Sequence, residues 1–206
     1  MTERSPEELY RDGLHAAEKG DLTTAADLFR QAADAGHIDA CFEFGVCCFC
    51  GDGVPADTEK GLALLRRASD AGQTTATAML VKFYLTECPD DPDGIAFVTD
   101  AVRRDCANAA GLLKQVCKNE RTCAVTAHYQ TILSDLAVTD DDALFCVLQY
   151  RMRQDEMEAI RYLEEMTERG CRTACYHLGM CYQDGVIVAK DEAKAWQILS
   201  RLDGAE

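Results

Sequence analysis

Twelve cysteines and four histidines are the residues of this chain best equipped for chemistry. Two groups stand out: Cys41, Cys47, Cys48 and Cys50, then Cys171, Cys175, His177 and Cys181. Closely spaced thiolates and imidazoles are the donor set of structural zinc. On an α-helix, turning about 100° per residue, Cys41 and Cys48 share one face. Cys47 and Cys50 fall on roughly the opposite face, so one tetrahedral ion cannot reach all four. Cys175 and His177 point apart in the same way. No HExxH segment is present, and neither a metal nor a cofactor is expected. Nucleophilic catalysis finds as little support. His15, His37, His128 and His177 are scattered, and no GxSxG, SxxK or P-loop pattern accompanies them. His37 follows a helix end, where a cation is favoured. His177 reads as a groove or surface side chain. Cys117 and Cys123 flank one polar turn, KNERT, and could face each other across a helical hairpin; two reduced thiols are the other reading.

Composition narrows the classes further. The 206 residues are 48% hydrophobic and carry a net charge of -15. A core is affordable on that composition, but clustered Lys and Arg for phosphate or an anionic membrane are not there. Nucleic acid and membrane are not expected as partners. The start, MTERSPEELYRDG, is polar and lacks the apolar region of a leader. No apolar stretch reaches membrane-spanning length. A cytoplasmic protein with reduced, buried thiols is expected, and export without a cleaved signal stays open.

The elements that must position these residues are helical throughout. No sustained period-two alternation occurs. Pro6, Pro55, Pro89 and Pro92 fall at candidate helix starts or in loops. Gly36, Gly72 and Gly170 follow amphipathic runs, where glycine terminates helices. Six pairs result: 6–18 with 22–35, 38–50 with 57–70, 74–87 with 94–105, 107–117 with 122–137, 141–153 with 155–169, and 172–183 with 191–202. Asp57 and Asp191 stand at N-cap positions, with Glu59 and Glu192 in the first turn.

The chain also echoes itself. Ala40, Cys41, Gly45, Cys47, Asp57 and Lys60 recur at one constant offset as Ala174, Cys175, Gly179, Cys181, Asp191 and Lys194. A fixed-period echo marks a repeat architecture. Gly45 and Gly179 lie mid-helix, where glycine costs about 1 kcal/mol against alanine, so a second helix must approach them closely. With Ala40, Phe44-Gly45, Gly51-Asp52-Gly53-Val54, Asp57, Lys60-Gly61, Ala68 and Gly72, the second pair resembles a Sel1-like repeat of the tetratricopeptide superfamily. The sixth does so through Ala174, Leu178-Gly179, Tyr182, Asp184-Gly185-Val186, Asp191 and Lys194-Ala195. Cys48 and Gly61 depart from the usual aromatic and alanine. The first pair is more tetratricopeptide-like, with Gly13, Gly20-Asp21, Ala25, Phe29 and Ala32. The resemblance implies an all-α, right-handed α-solenoid superhelix of about six antiparallel helix pairs. It would form a single repeat domain over 1–206, with clear repeats at 38–72 and 172–206, a tetratricopeptide-like one at 6–36 and diverged ones over 74–169.

In such folds the first helices line a concave surface. Superposed repeats put Tyr10, Phe42 and Tyr176 at one position and Leu14, Val46 and Met180 one turn later. Phe49 and Cys50 continue the stripe, and Lys82 adds an anchor for a carboxylate. Core packing is the competing role for every apolar member, although Cys41, Phe44 and Cys48 already fill the core positions. The function implied is a non-catalytic adaptor or scaffold that holds a protein or peptide in the groove. Two alternatives stand beside it: the β-lactamase or penicillin-binding activity ascribed to cysteine-rich relatives, and a secreted or translocated effector. The partner's identity and the oligomeric state are not legible.

Overall fold

The computed structural model describes residues 4–104, 106, 108–118 and 123–203. Among them are twelve helices and no strand, the all-α class expected. They are α1 (Pro6–Glu18), α2 (Leu22–Asp34), α3 (Ile38–Cys50), α4 (Thr58–Asp70), α5 (Thr74–Thr86) and α6 (Pro92–Arg103). The series continues with α7 (Ala109–Cys117), α8 (Cys123–Leu136), α9 (Asp141–Gln154), α10 (Glu156–Glu168), α11 (Arg172–Asp184) and α12 (Glu192–Asp203). Every end falls within two residues of its expected place.

The chain forms two compact units. One holds the residues up to Tyr84 with Arg104–Ala109, the other Leu85–Arg103 with the chain from Ala110 onward.

Side-chain caps set the helix boundaries. Asp21, Asp57, Asp91 and Asp191 accept the backbone N–H three residues on, from Thr24, Lys60, Gly94 and Lys194 at 2.9–3.1 Å. Asp91 with Pro92 at the first helical position starts α6 earlier than the periodicity indicates. Ser5 and Glu8 form a reciprocal capping box on α1. Gly36, Gly72 and Gly170 end α2, α4 and α10 at φ near +90°, a conformation side chains resist.

Within a pair the helices run antiparallel. Along α3, Cys41, Gly45 and Phe49 meet Arg67, Leu64 with Leu65, and Gly61 in descending order on α4. The mid-helix glycines do what their cost implies. A methyl on Gly45 would sit 3.2 Å from Leu64 and Leu65, and one on Gly179 2.5 Å from Leu199. Gly13 of α1 meets Phe29 at 2.7 Å in the same way. Second helices also pack on the next first helix, α2 on α3 in one unit and α8 on α9 and α10 on α11 in the other. Buried Ala25, Ala26, Phe29, Phe44, Cys47 and Cys48 form one such seam. A pair therefore buries its second apolar face only against its neighbour, the logic of a repeat array.

Candidate functional site

The cysteines serve packing and hydrogen bonding. Among the described residues no cluster of His, Cys, Asp and Glu could hold a metal ion. The Cys41 thiol donates to the Leu64 carbonyl at 3.3 Å and accepts from Arg67 Nε at 3.1 Å. At the same offset, the Cys175 thiol donates to the Ile198 carbonyl at 3.1 Å. Cys171 accepts from the Ala174 N–H as N-cap of α11 and donates to the Ala137 carbonyl at 3.2 Å. Burial pushes the Cys47 thiol up to about 11, and raises Cys48, Cys146, Cys175 and Cys181 as well. A thiol so shifted is mostly protonated at neutral pH and a poor nucleophile. Cys47 and Cys50 have the C-x-x-C spacing of dithiol motifs. Cys47 is buried and Cys50 exposed, so the pair is split between core and solvent. Cys117 is buried, and the side chain of Cys123, its expected counterpart, lies outside the described residues.

One histidine has a role beyond the expected one. His37 follows the end of α2, its backbone N–H donating to the Ala32 carbonyl at 2.9 Å. It is the N-cap of α3, and its Nδ1 accepts the Ala40 N–H at 3.2 Å. Nε2 then carries the proton and donates to Glu7 at 2.9 Å. A protonated Nδ1 would have no lone pair for the cap, so the cap goes with the tautomer that carries its proton on Nε2. The Tyr10 ring stacks on it with centroids 4.5 Å apart.

The expected groove residues divide between the units. In the first, Tyr10, Phe42, Val46 and Phe49 are half-buried, while Leu14 and Lys82 are exposed. Tyr10 lies between His37 and Phe29, the latter at 6.0 Å, and burial raises its phenol pKa. Phe49 meets the edge of Phe83 at 5.6 Å. These contacts give Tyr10 and Phe49 a packing role as well as an accessible edge. In the second unit Tyr176 is 51% exposed, and Met180 is half-buried.

Met180 belongs to a larger feature. An apolar groove of about 360 Å³ lies between α9, α10 and α11 and includes Ile187 of the following loop. Phe145, Leu148, Gln149 and Met152 enter it from α9, and His177, Met180, Cys181 and Asp184 from α11. Both sets follow the i, i+3, i+4, i+7 spacing of one helix face. Leu163 and Ile160 form its base, and the His177 ring stands edge-on to Phe145 at 5.4 Å. Asp184 is its one lining carboxylate. Sequence reasoning found Met180 and His177 but missed Phe145 and Met152, whose spacing was the available signal.

Ile187 sits at φ +67°, a region β-branched residues avoid at a cost of about 1–3 kcal/mol. The constant repeat offset aligns it with Gly53, at φ +74°. Gly185 likewise aligns with Gly51, and both end their helices in the left-handed region. The sixth pair's motif is thus Gly185-Val186-Ile187-Val188, two residues on from the match through Asp184-Gly185-Val186 made by sequence comparison. At Gly53 a methyl would lie 2.1 Å from the Leu22 carbonyl oxygen, whereas Ile187 has room and turns into the groove.

The family comparison agrees with the repeat architecture. The sequence matches the Sel1 repeat over residues 8–37, 38–73, 148–171 and 173–201, together more than half of the chain. It is 26% identical over 184 residues to the DAP3-binding cell death enhancer 1 of Rattus norvegicus, covering 89% of this chain and 31% of that protein. The Mus musculus counterpart is 27% identical over 175 residues, 84% of this chain and 29% of that one. The chain spans about a third of the length of these curated relatives. Among solved structures, a Sel1 repeat protein from Oxalobacter formigenes is 17% identical with a TM-score of 0.44, covering 97% of this chain and 86% of that one. A protective antigen of uropathogenic Escherichia coli strains with an SLR fold is 18% identical with a TM-score of 0.41, covering 97% and 53%. Sel1 repeats generally act as protein-interaction scaffolds. No helix among the described residues is long and apolar enough to cross a membrane.

Proposed function

Because this chain belongs to the Sel1 repeat family, we propose that it is a non-catalytic protein-interaction scaffold whose docking site is the apolar groove between α9 and α11. The observation that supports this is the groove itself. Phe145 and Met152 are exposed large apolar side chains, and they converge with Met180 and Ile187 on one hollow. Apolar patches of this kind mark interaction sites more often than they occur by accident. Methionine suits the role, because its unbranched side chain repacks around varied apolar partners. Tyr176, beside the groove and half exposed, adds an aromatic anchor at the rim. The stripe of Tyr10, Leu14, Phe42, Val46 and Phe49, with Lys82, is a second and weaker candidate, since Tyr10 and Phe49 already have packing partners. The fitting ligand is a short amphipathic peptide of a protein partner, its apolar residues spaced to meet α9 and α11 together.

Methyl-labelled methionine offers a direct test. Peptides selected from a random library against the whole chain should shift the Met152 and Met180 methyl signals and leave buried Met166 in place. Phe145→Ala combined with Met152→Ser should weaken the selected peptides by more than about tenfold with the thermal melt little changed. Selected peptides that shift neither Met152 nor Met180 would move the docking site elsewhere.

A further inference from the structure

The groove between α9 and α11 has two different ends. Phe145 and His177 stand edge-on at 5.4 Å and set one level on both helices. Seven residues on, Met152 and Asp184 set a second level. Two helical turns separate the levels, about 10.5 Å of rise. Asp155 alone joins α9 to α10, and a short turn joins α10 to α11, so α10 runs against both. It therefore starts at the Met152–Asp184 end. Along α10, Glu156 precedes Ala159, Ile160 and Leu163 of the groove at the i, i+3, i+4, i+7 spacing of one face. The α10 stripe thus begins, and the α11 stripe ends, in an exposed carboxylate at one end of the groove. At the other end the α9 stripe has Asp141 one turn before Phe145, while Asp142 beside it is paired with Lys118 at 2.8 Å.

The chain's own cations leave that end unanswered. No lysine or arginine lines the hollow. Lys190, whose field reaches Asp184, is paired with Glu192 at 2.8 Å. On α9, Arg151 lies over the Tyr162 ring at 4.7 Å and 3.9 Å from Glu158. Arg153 stands about 80° round the helix from Phe145, off the groove stripe. Asp184 is also ill-placed within its own helix. It is the last residue of α11, and that turn has no basic residue. Unpaired carbonyl oxygens already gather negative charge there. A cation arriving at this point meets a carboxylate and the negative end of a helix dipole together. The apolar wall beside them excludes water from one side, which strengthens both attractions. The chain's charge of -15 adds long-range attraction for a basic partner and repels an acidic one.

On the reading that this groove is the docking site, we infer that its partner is a basic amphipathic segment of another protein, with apolar side chains in the hollow and a lysine or arginine at Asp184.

The groove's length sets the spacing. A partner helix lying along it places apolar residues at i and i+3 or i+4 and the basic residue at i+7, about 10.5 Å from the first, in either chain direction. Short peptides selected from a random library against the whole chain are the probes, sorted by whether they shift the Met152 and Met180 methyl signals. Those that do should be enriched in lysine or arginine two turns from an apolar residue. Norleucine in place of that residue keeps the apolar stem and removes the charge. It should weaken binding to the wild-type chain by about three- to fivefold, and binding to Asp184→Asn hardly at all. Glutamate there should weaken wild-type binding by more than about tenfold. Asp184→Asn removes an anion from a helix C-terminus, so its thermal melt should be unchanged or raised, and its lost affinity is not unfolding. Groove-binding peptides without basic enrichment, or with equal affinity for Asp184→Asn and wild type, overturn the basic partner and leave the docking site standing. Peptides that bind without shifting Met152 or Met180 overturn both.

Discussion

Gly61 shows at the residue scale how tightly a pair closes. A methyl there would lie 2.8 Å from the Phe49 backbone nitrogen and 3.0 Å from the Gly45 carbonyl oxygen. Backbone cannot step aside. A methyl on Gly45 meets only leucine side chains at 3.2 Å, and these can give by a few tenths of an ångström. Alanine gains about 1 kcal/mol of helix propensity at either place. Gly61→Ala is therefore expected to destabilise by about 1–3 kcal/mol net of that gain, and Gly45→Ala by much less. Urea unfolding of the two variants measures the difference, and equal stabilities would contradict the contact. Here the residue alone was ambiguous: Gly61 looks like a departure from the usual alanine, and only the neighbouring backbone explains it. His37 is a similar case. Its place after a helix end was legible, but the ring nitrogen that caps α3 depends on an orientation no spacing encodes. Ile187 is a third, because nothing in the letter Ile announces a left-handed backbone.

Capping dominates at the scale of the element, and one cap carries a pH dependence. Asp140 caps α9 by accepting the Ala143 N–H at 3.1 Å, and it pairs with Lys114 of α7. Burial pushes its carboxyl up, but Lys114 and the cap N–H outweigh that and hold it below the ordinary carboxylate range. A depressed folded-state pKa stabilises above the unfolded value, about 4, and the contribution fades as pH falls through the folded value. Asp140→Asn keeps a cap acceptor and removes the charge. It should cost about 0.5–1 kcal/mol at pH 7, allowing for partial exposure, and the gap from wild type should close below about pH 4. Chemical unfolding across that range measures it; a gap independent of pH would show that the cap, not the charge, does the stabilising. The elements themselves were largely legible. Asp57, Asp191 and the terminal glycines are local signals that act over one turn, and α1 and α3 lie where the periodicity puts them. Phe145 and Met152 were overlooked because α9 has lost the repeat's matched letters, and a groove between helices is a tertiary fact.

For the whole molecule, charge is the global term. Thirty-six acidic residues against twenty-one basic ones leave net self-repulsion in the folded chain. Salt screens it over a Debye length of about 10 Å at 0.1 M. The melting temperature should rise between low salt and about 0.15 M sodium chloride, and a flat or falling melt would mean that local ion pairs outweigh the global repulsion. Composition made this visible at once, as the repeat echo did for the fold family; what composition leaves out is which faces stay uncovered. The thiol hydrogen bonds have a further use. Cys41 and Cys175 make the same bond to the same kind of carbonyl, one in each compact unit. A thiol-trapping reagent reaches either only when its helix pair opens. The two form a matched pair of built-in clocks, and the ratio of their trapping rates reads out which end of the chain breathes more often, with no label added and no residue changed.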